Sequence, residues 1–168
     1  MEGLGRLFDL SAGIAPVDLQ SAATGKLVSL KDASGVSIVV FKGAGTAGDD
    51  QTWTLKEHAG TADSTGQNLA VIGHYYAKEE TTLDGDETWT RVSNLSGGNP
   101  QATILDATDA EIQQILVIEV NASSLSDGYT HVSLSNDGAG SNAQLGGVLY
   151  VLHDLAAQRA PASLPAPQ

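Results

Sequence analysis

The chain predicts an all-β fold: a jelly-roll-like antiparallel β-sandwich of about eight strands, with extended N- and C-terminal arms. Three observations carry this expectation. A short phrase occurs twice, Gly48-Asp49-Asp50-Gln51-Thr52-Trp53-Thr54 and Gly85-Asp86-Glu87-Thr88-Trp89-Thr90, each running from a glycine and acidic turn into β-formers. Short apolar or alternating runs of strand length recur along the chain. Between them stand the steps Asp84-Gly85, Asp127-Gly128 and Asp137-Gly138, which tolerate the positive φ angles of tight turns.

Residues 1–25 are rich in Gly, Ala and Ser, with Leu4, Leu7, Phe8, Leu10 and Ile14 dispersed among them. Their spacing is neither helical nor alternating, so they read as an extended N-terminal arm, either disordered or docked onto a neighbouring subunit. Residues 26–155 form the sandwich domain. Val36-Ser37-Ile38-Val39-Val40-Phe41 is apolar on both faces, as a strand buried on both sides would be. Residues 52–58 alternate, with Trp53 and Leu55 inward. Strands follow at 69–76 and 88–92.

Thr108-Asp109-Ala110-Glu111 fits a capping box, which predicts one short helical turn leading into the apolar strand 115–120. Residues 129–134 alternate again, with Val132 and Leu134 inward. Residues 145–152 close the domain, and Gly146-Gly147 marks a bulge or a close backbone approach. The Pro- and Ala-rich residues 156–168 are expected to be an extended tail, because proline lacks the N–H donor. Only two copies of the Trp phrase exist, so it reads as two strands built by one local rule, with both indoles in the core.

Length and composition narrow the function classes. The chain has 168 residues, which suits one domain with a real core. Its net charge is −12, from 20 acidic against 8 scattered basic residues, so nucleic acid would be repelled. It has no cysteine, which excludes disulfides, thiolate metal sites and thiol nucleophiles. Glu2 and Asp9 interrupt any signal-peptide pattern, and no run approaches the roughly 20 apolar residues of a membrane helix, so no membrane partner is expected.

No motif dictates a reaction. His58, His74, His131 and His153 form no His-x-His or His-x-x-x-His pair, so no histidine metal site is expected. The acidic run Asp84-Gly85-Asp86-Glu87 is oxygen-rich but lacks EF-hand spacing, and reads as a solvated hairpin turn. The stretch Gly43 to Gly48 has a GxGxxG appearance but leads into Thr-Trp-Thr rather than a helix, so the phosphate-binding physics fails. There is no Gly-x-Ser-x-Gly elbow, while paired carboxylates for glycoside hydrolysis stay open because their separation belongs to the fold. The expectation is a non-enzyme with no catalytic, cofactor-binding or metal-binding residues. A carbohydrate-binding jelly roll, with Trp53, Trp89, Tyr75 and Tyr76 as platforms, is the alternative from another class.

Three segments carry a family resemblance. They are residues 39–50, from Val39-Val40-Phe41-Lys42-Gly43 to Asp49-Asp50; residues 107–120, from Ala107-Thr108-Asp109 to Ile118-Glu119-Val120; and Asn142-Ala143-Gln144-Leu145-Gly146-Gly147-Val148-Leu149-Tyr150-Val151-Leu152. Together they resemble tailed-bacteriophage and prophage virion proteins, in particular capsid decoration (cement) proteins. The resemblance covers roughly residues 36–155 and leaves both arms outside it. It implies a protein on the capsid surface of a virion assembled in the host cytoplasm. The implied partners are the major capsid protein and further copies of the chain, as a homotrimer. Another head or tail component is compatible with the same motifs. The arm residues Leu4, Leu7, Phe8, Leu10 and Ile14 are the expected capsid or subunit contacts. Deleting residues 2–20 is then expected to leave a folded oligomer unable to bind capsids.

Overall fold

The structure, a computed structural model, describes residues 3–105, 110–138, 140 and 142–164. Among them are thirteen strands: β1 (Phe8–Asp18), β2 (Val28–Ser29), β3 (Ala33–Lys42), β4 (Thr52–His58), β5 (Gln67–Asn68), β6 (His74–Glu80), β7 (Thr90–Ser93), β8 (Leu95–Ser96), β9 (Asn99–Pro100), β10 (Thr103–Leu105), β11 (Gln113–Asn121), β12 (His131–Asn136) and β13 (Leu145–Leu155). All named pairings are antiparallel. A six-stranded sheet has the order β1-β13-β3-β11-β6-β7. A five-stranded sheet has the order β10-β4-β12-β2, with β5 also on β4. The chain is therefore an all-β sandwich.

Strand alternation builds the core between the sheets. From the larger sheet Val36, Ile38 and Val40 of β3 point inward with Leu116, Ile118 and Val120 of β11 and Val148, Tyr150 and Leu152 of β13. Trp53 and Leu55 of β4 and Val132 and Leu134 of β12 meet them from the smaller sheet, in one continuous cluster. Burying each of these side chains contributes about 1.5–3 kcal/mol. β4 is more enclosed than its alternation implies, because Thr54, Glu57 and His58 are buried as well.

Residues 8–18 differ from the expected extended arm outside the sandwich. They form β1, hydrogen-bonded along β13 from Phe8↔His153 to Asp18↔Leu145, and Ile14 and Leu19 lie in the core. The register shifts between Ala12 and Ile14 and again between Ile14 and Val17, so a continuous strand loses its period of two. Of the two expectations for Gly146-Gly147 the close backbone approach holds, since a Cβ there would lie 2.9 Å from the Phe41 or Ile14 carbonyl oxygen, whereas β13 pairs with β3 without interruption from Gly146 to His153. The strand expected at 69–76 is displaced. Residues 69–73 form a connection pinned by buried Leu69 and Ile72, and β6 starts at His74.

The Asp-Gly turns take positive φ as their chemistry requires, for instance Gly85 at 106° and Gly128 at 85°. The expected helical turn at 108–111 begins with Thr108 and Asp109, which lie outside the described residues. The C-terminal segment is not wholly extended. Pro161–Ser163 make one turn of 3-10 helix, with the proline at its start where no N–H is needed. Arg159 fastens this segment by an ion pair to Asp32 at 2.9 Å and by its N–H to the Gly5 carbonyl at 2.8 Å. Pro165 and Pro167 lie outside the described residues. Among the described residues no helix is long and apolar enough to cross a membrane.

Candidate functional site

The outer face of the larger sheet is the most unusual surface. In an open sandwich this face meets water and should be polar. Register shows otherwise. One row crosses the sheet as Ala12, Leu149, Val39, Val117 and Tyr76, on five successive strands. The next row runs Gly147, Phe41, Ile115 and Lys78, its charge arriving only at β6. Phe41 is 57% exposed, Leu145 67% and Leu149 41%. Charged groups stand only at the margins, with Glu119 beside Ser37 at one end and Arg91 beyond Tyr76 at the far edge. Beside Gly147 is an open apolar groove of about 670 Å³, walled by Ala15, Pro16, Phe41, Leu145 and Leu149. Such surfaces mark contact sites rather than chemistry.

The expected contact residues divide around this face. Leu10 is exposed on it, next to Val151. Leu7 is exposed just ahead of β1, Phe8 is half-buried, and Leu4 is half-buried in a bridge with Phe8. Ile14 is a core residue and unavailable to a partner. Val39, Phe41, Ile115, Val117 and Leu149 were not anticipated as contacts. Their signal was present, because the strand at 36–41 is apolar on both faces and the strand at 115–120 is an apolar run up to Glu119. One such face fills the core; among the described residues nothing covers the other.

Buried polar groups cluster at one end of the sandwich. Asn136 donates to Gln51 at 2.6 Å, Gln51 to Gln144 at 2.6 Å, and Gln144 to the Ala110 carbonyl at 2.8 Å. The Lys42 ammonium, wholly buried, donates to the same carbonyl at 3.4 Å. The glycine-rich stretch after β3 closes over this network, with Gly45 N–H on Ala110 and Gly43 N–H on Leu145. Amides are neither nucleophiles nor acids, so the network fixes loop ends.

At the opposite end His58 Nε2 faces Ser133 Oγ at 2.9 Å, and Nδ1 faces the Asp63 carbonyl at 2.9 Å. The pair has the contacts of a serine–histidine dyad, but both residues are buried and no substrate could reach the hydroxyl. His131, opposite His58 in the register, is held below the usual imidazole range by burial, then by Lys31 and His58. His153 lies 3.1 Å from Asp154 and 3.7 Å from Glu119, and His74 packs edge-on against Tyr76.

The acidic loop before β7 brings carboxylate oxygens of Glu80, Asp84, Asp86 and Glu87 within 4.8 Å of one another. This is the donor type a hard divalent cation takes. The Asp86 charge foremost pushes the Glu80 carboxyl up, whereas the Gly85 N–H foremost holds Glu87 down. The two tryptophans part company here. Trp53 is fully buried in β4, while Trp89 is 51% exposed just ahead of β7, with the Lys78 ammonium 5.3 Å from its ring centre. The repeated phrase therefore serves two different environments, and only one of its indoles is a core residue.

The chain matches no family model, no curated protein and no solved structure.

Proposed function

We propose that this chain is a non-enzymatic structural protein of a tailed-phage virion. It binds the outside of the capsid, contacts the major capsid protein, and stabilises the joints between capsomers as a homo-oligomer, a trimer being an economical closed form. The uncovered apolar face of the larger sheet is the observation that carries this reading. A face of that composition is suited to permanent contact in an assembly, and among the described residues the accessible polar clusters offer no reacting constellation. The strand orders β1-β13-β3-β11 and β2-β12-β4-β10 also interleave along the chain, in keeping with a jelly roll. The place of action is the capsid surface, reached after synthesis in the host cytoplasm.

Mixing the purified protein with capsids that lack it, then imaging the particles, tests the proposal. Regular density outside the shell and greater resistance of the particles to heat are expected. Bare shells at saturating protein would overturn it, and density on a tail would reassign the chain to another virion component.

One observation favours a second reading, a carbohydrate-binding module: Trp89 is half exposed beside Lys78. Glycan titration followed by tryptophan emission separates the two. A response in the native chain that vanishes in Trp89→Ala supports sugar binding.

A further inference from the structure

We propose that the outer face of the larger sheet packs against a second copy of this chain. Resting on the homo-oligomer of the function proposed above, the contact gives that oligomer a surface and requires no capsid for its formation.

Charge selects the occupant. The chain carries −12 overall, so two copies repel wherever acidic surfaces meet. From Ala12 through Leu149 and Val39 to Val117, and from Gly147 through Phe41 to Ile115, no side chain is charged. Two copies can approach closely over this face without opposing like charges. A basic partner, by contrast, would be drawn to the acidic remainder of the molecule.

Shape points the same way. Phe41 and Leu145 project beside the groove floored by Gly147. A Cβ on Gly147 would lie 2.9 Å from the Ile14 carbonyl oxygen, so that floor carries no side chain. Projection and hollow thus sit side by side on one chain, so the projection of one copy can enter the hollow of the next, the head-to-tail contact that a closed ring requires. The strands β3 and β11 also have the composition of strands buried on both faces, and sheet-on-sheet contact with another copy completes that burial.

Sedimentation velocity of the whole chain, of Leu149→Glu and of Leu105→Glu tests the contact. Leu105 is also exposed but belongs to β10 of the smaller sheet. The native chain and Leu105→Glu should sediment as the same oligomer, and Leu149→Glu should fall to the monomer with its circular dichroism unchanged. A monomeric native chain at the highest soluble concentration overturns the proposal, as does an oligomer that survives Leu149→Glu.

Should Leu149→Glu fail to fold, Ala12→Cys decides, since it gives this cysteine-free chain one thiol on the face. Maleimide labelling that slows as protein concentration rises supports the contact, and a rate independent of concentration overturns it. Capsid binding is scored separately. An oligomer dispersed by Leu149→Glu whose native form ignores capsids keeps this contact and overturns the proposed function. A monomer whose capsid binding is lost in Leu149→Glu does the reverse.

Discussion

The Tyr150 hydroxyl accepts the backbone N–H of Leu134 at 3.0 Å and donates to the Lys26 carbonyl at 3.0 Å. Tyr150 belongs to the larger sheet and Leu134 to the smaller, so one phenol ties the two sheets through the core. It also fills a gap in a ladder. β2 pairs with β12 only at His131 and Val132, and the next contact on that edge is the Ala23↔Asn136 bridge. Without the hydroxyl, the Leu134 N–H would be buried with no acceptor.

Tyr150→Phe should therefore cost about 1–3 kcal/mol, the penalty of an orphaned buried donor, although it removes one atom. Burial pushes the Tyr150 hydroxyl up to about 12, against an ordinary value of 10.0. The sign follows from linkage. Between those two values the unfolded chain loses this proton and the folded chain keeps it, so stability falls as pH rises across the window. Thermal melts of both proteins as pH rises above 10 check this. The native chain should show the loss, and Tyr150→Phe should lack this component of it.

Deleting residues 2–20 should abolish cooperative folding, contrary to the expectation of a folded oligomer that has lost only its contact arm. The deletion removes β1 and two core side chains, Ile14 and Leu19, and leaves β13 as a bare edge. Losses of about 2–5 kcal/mol per large core side chain rival the whole stability of a domain this size. A single sharp melt by circular dichroism in the truncated chain would refute this. A capsid-binding assay on that truncation would consequently say nothing about contacts.

Why β1 was illegible, when β3, β4, β11, β12 and β13 were not, is a matter of polarity and register. Over Val36–Val40 of β3 and Leu116–Val120 of β11 alternate positions are buried and apolar, and only at the ends do the polar Lys42 and Gln114 turn inward. β1 alternates in burial over Phe8–Gly13, but it buries the polar Asp9 and Ser11 and turns Leu10 and Ala12 outward, then changes register twice, so its polarity does not mark a core-facing side. The outer face was legible as composition but not as location. A strand apolar on both sides reads identically whether its second layer comes from the same chain or another. The buried amide network had no local signal, since Gln51, Asn136 and Gln144 meet only through the fold.

The two tryptophans should behave as opposites. In Trp89→Phe only Trp53 emits, and its burial predicts blue-shifted emission that acrylamide hardly quenches. In Trp53→Phe the remaining Trp89 should emit to the red and be quenched readily. Its emission should also respond to Lys78→Ala, which removes the ammonium over the ring. Equal quenching in the two variants would contradict the placement.

Asp63 should make the loop after β4 sensitive to acid. Its carboxylate accepts the N–H groups of Gly66 at 2.9 Å, Ala59 at 3.1 Å and Thr65 at 3.3 Å. Those bonds, Gly66 first and Ala59 next, hold it down at about 2, below the ordinary 3.8. A carboxylate with a lowered folded value contributes stability above its unfolded value and loses it as pH falls through the folded one. The contribution should thus be present above 3.8 and vanish towards 2. Asp63 is only half-buried, so water screens the effect and the expected change is local rather than global. Carboxyl chemical shifts should give the low titration, and amide exchange at Ala59, Thr65 and Gly66 should quicken over the same window. In Asp63→Asn that acid-induced quickening should disappear, because the amide oxygen does not titrate there. The same loop holds His58 through the Asp63 carbonyl, so its loosening should reach the buried Ser133 hydroxyl before either sheet opens.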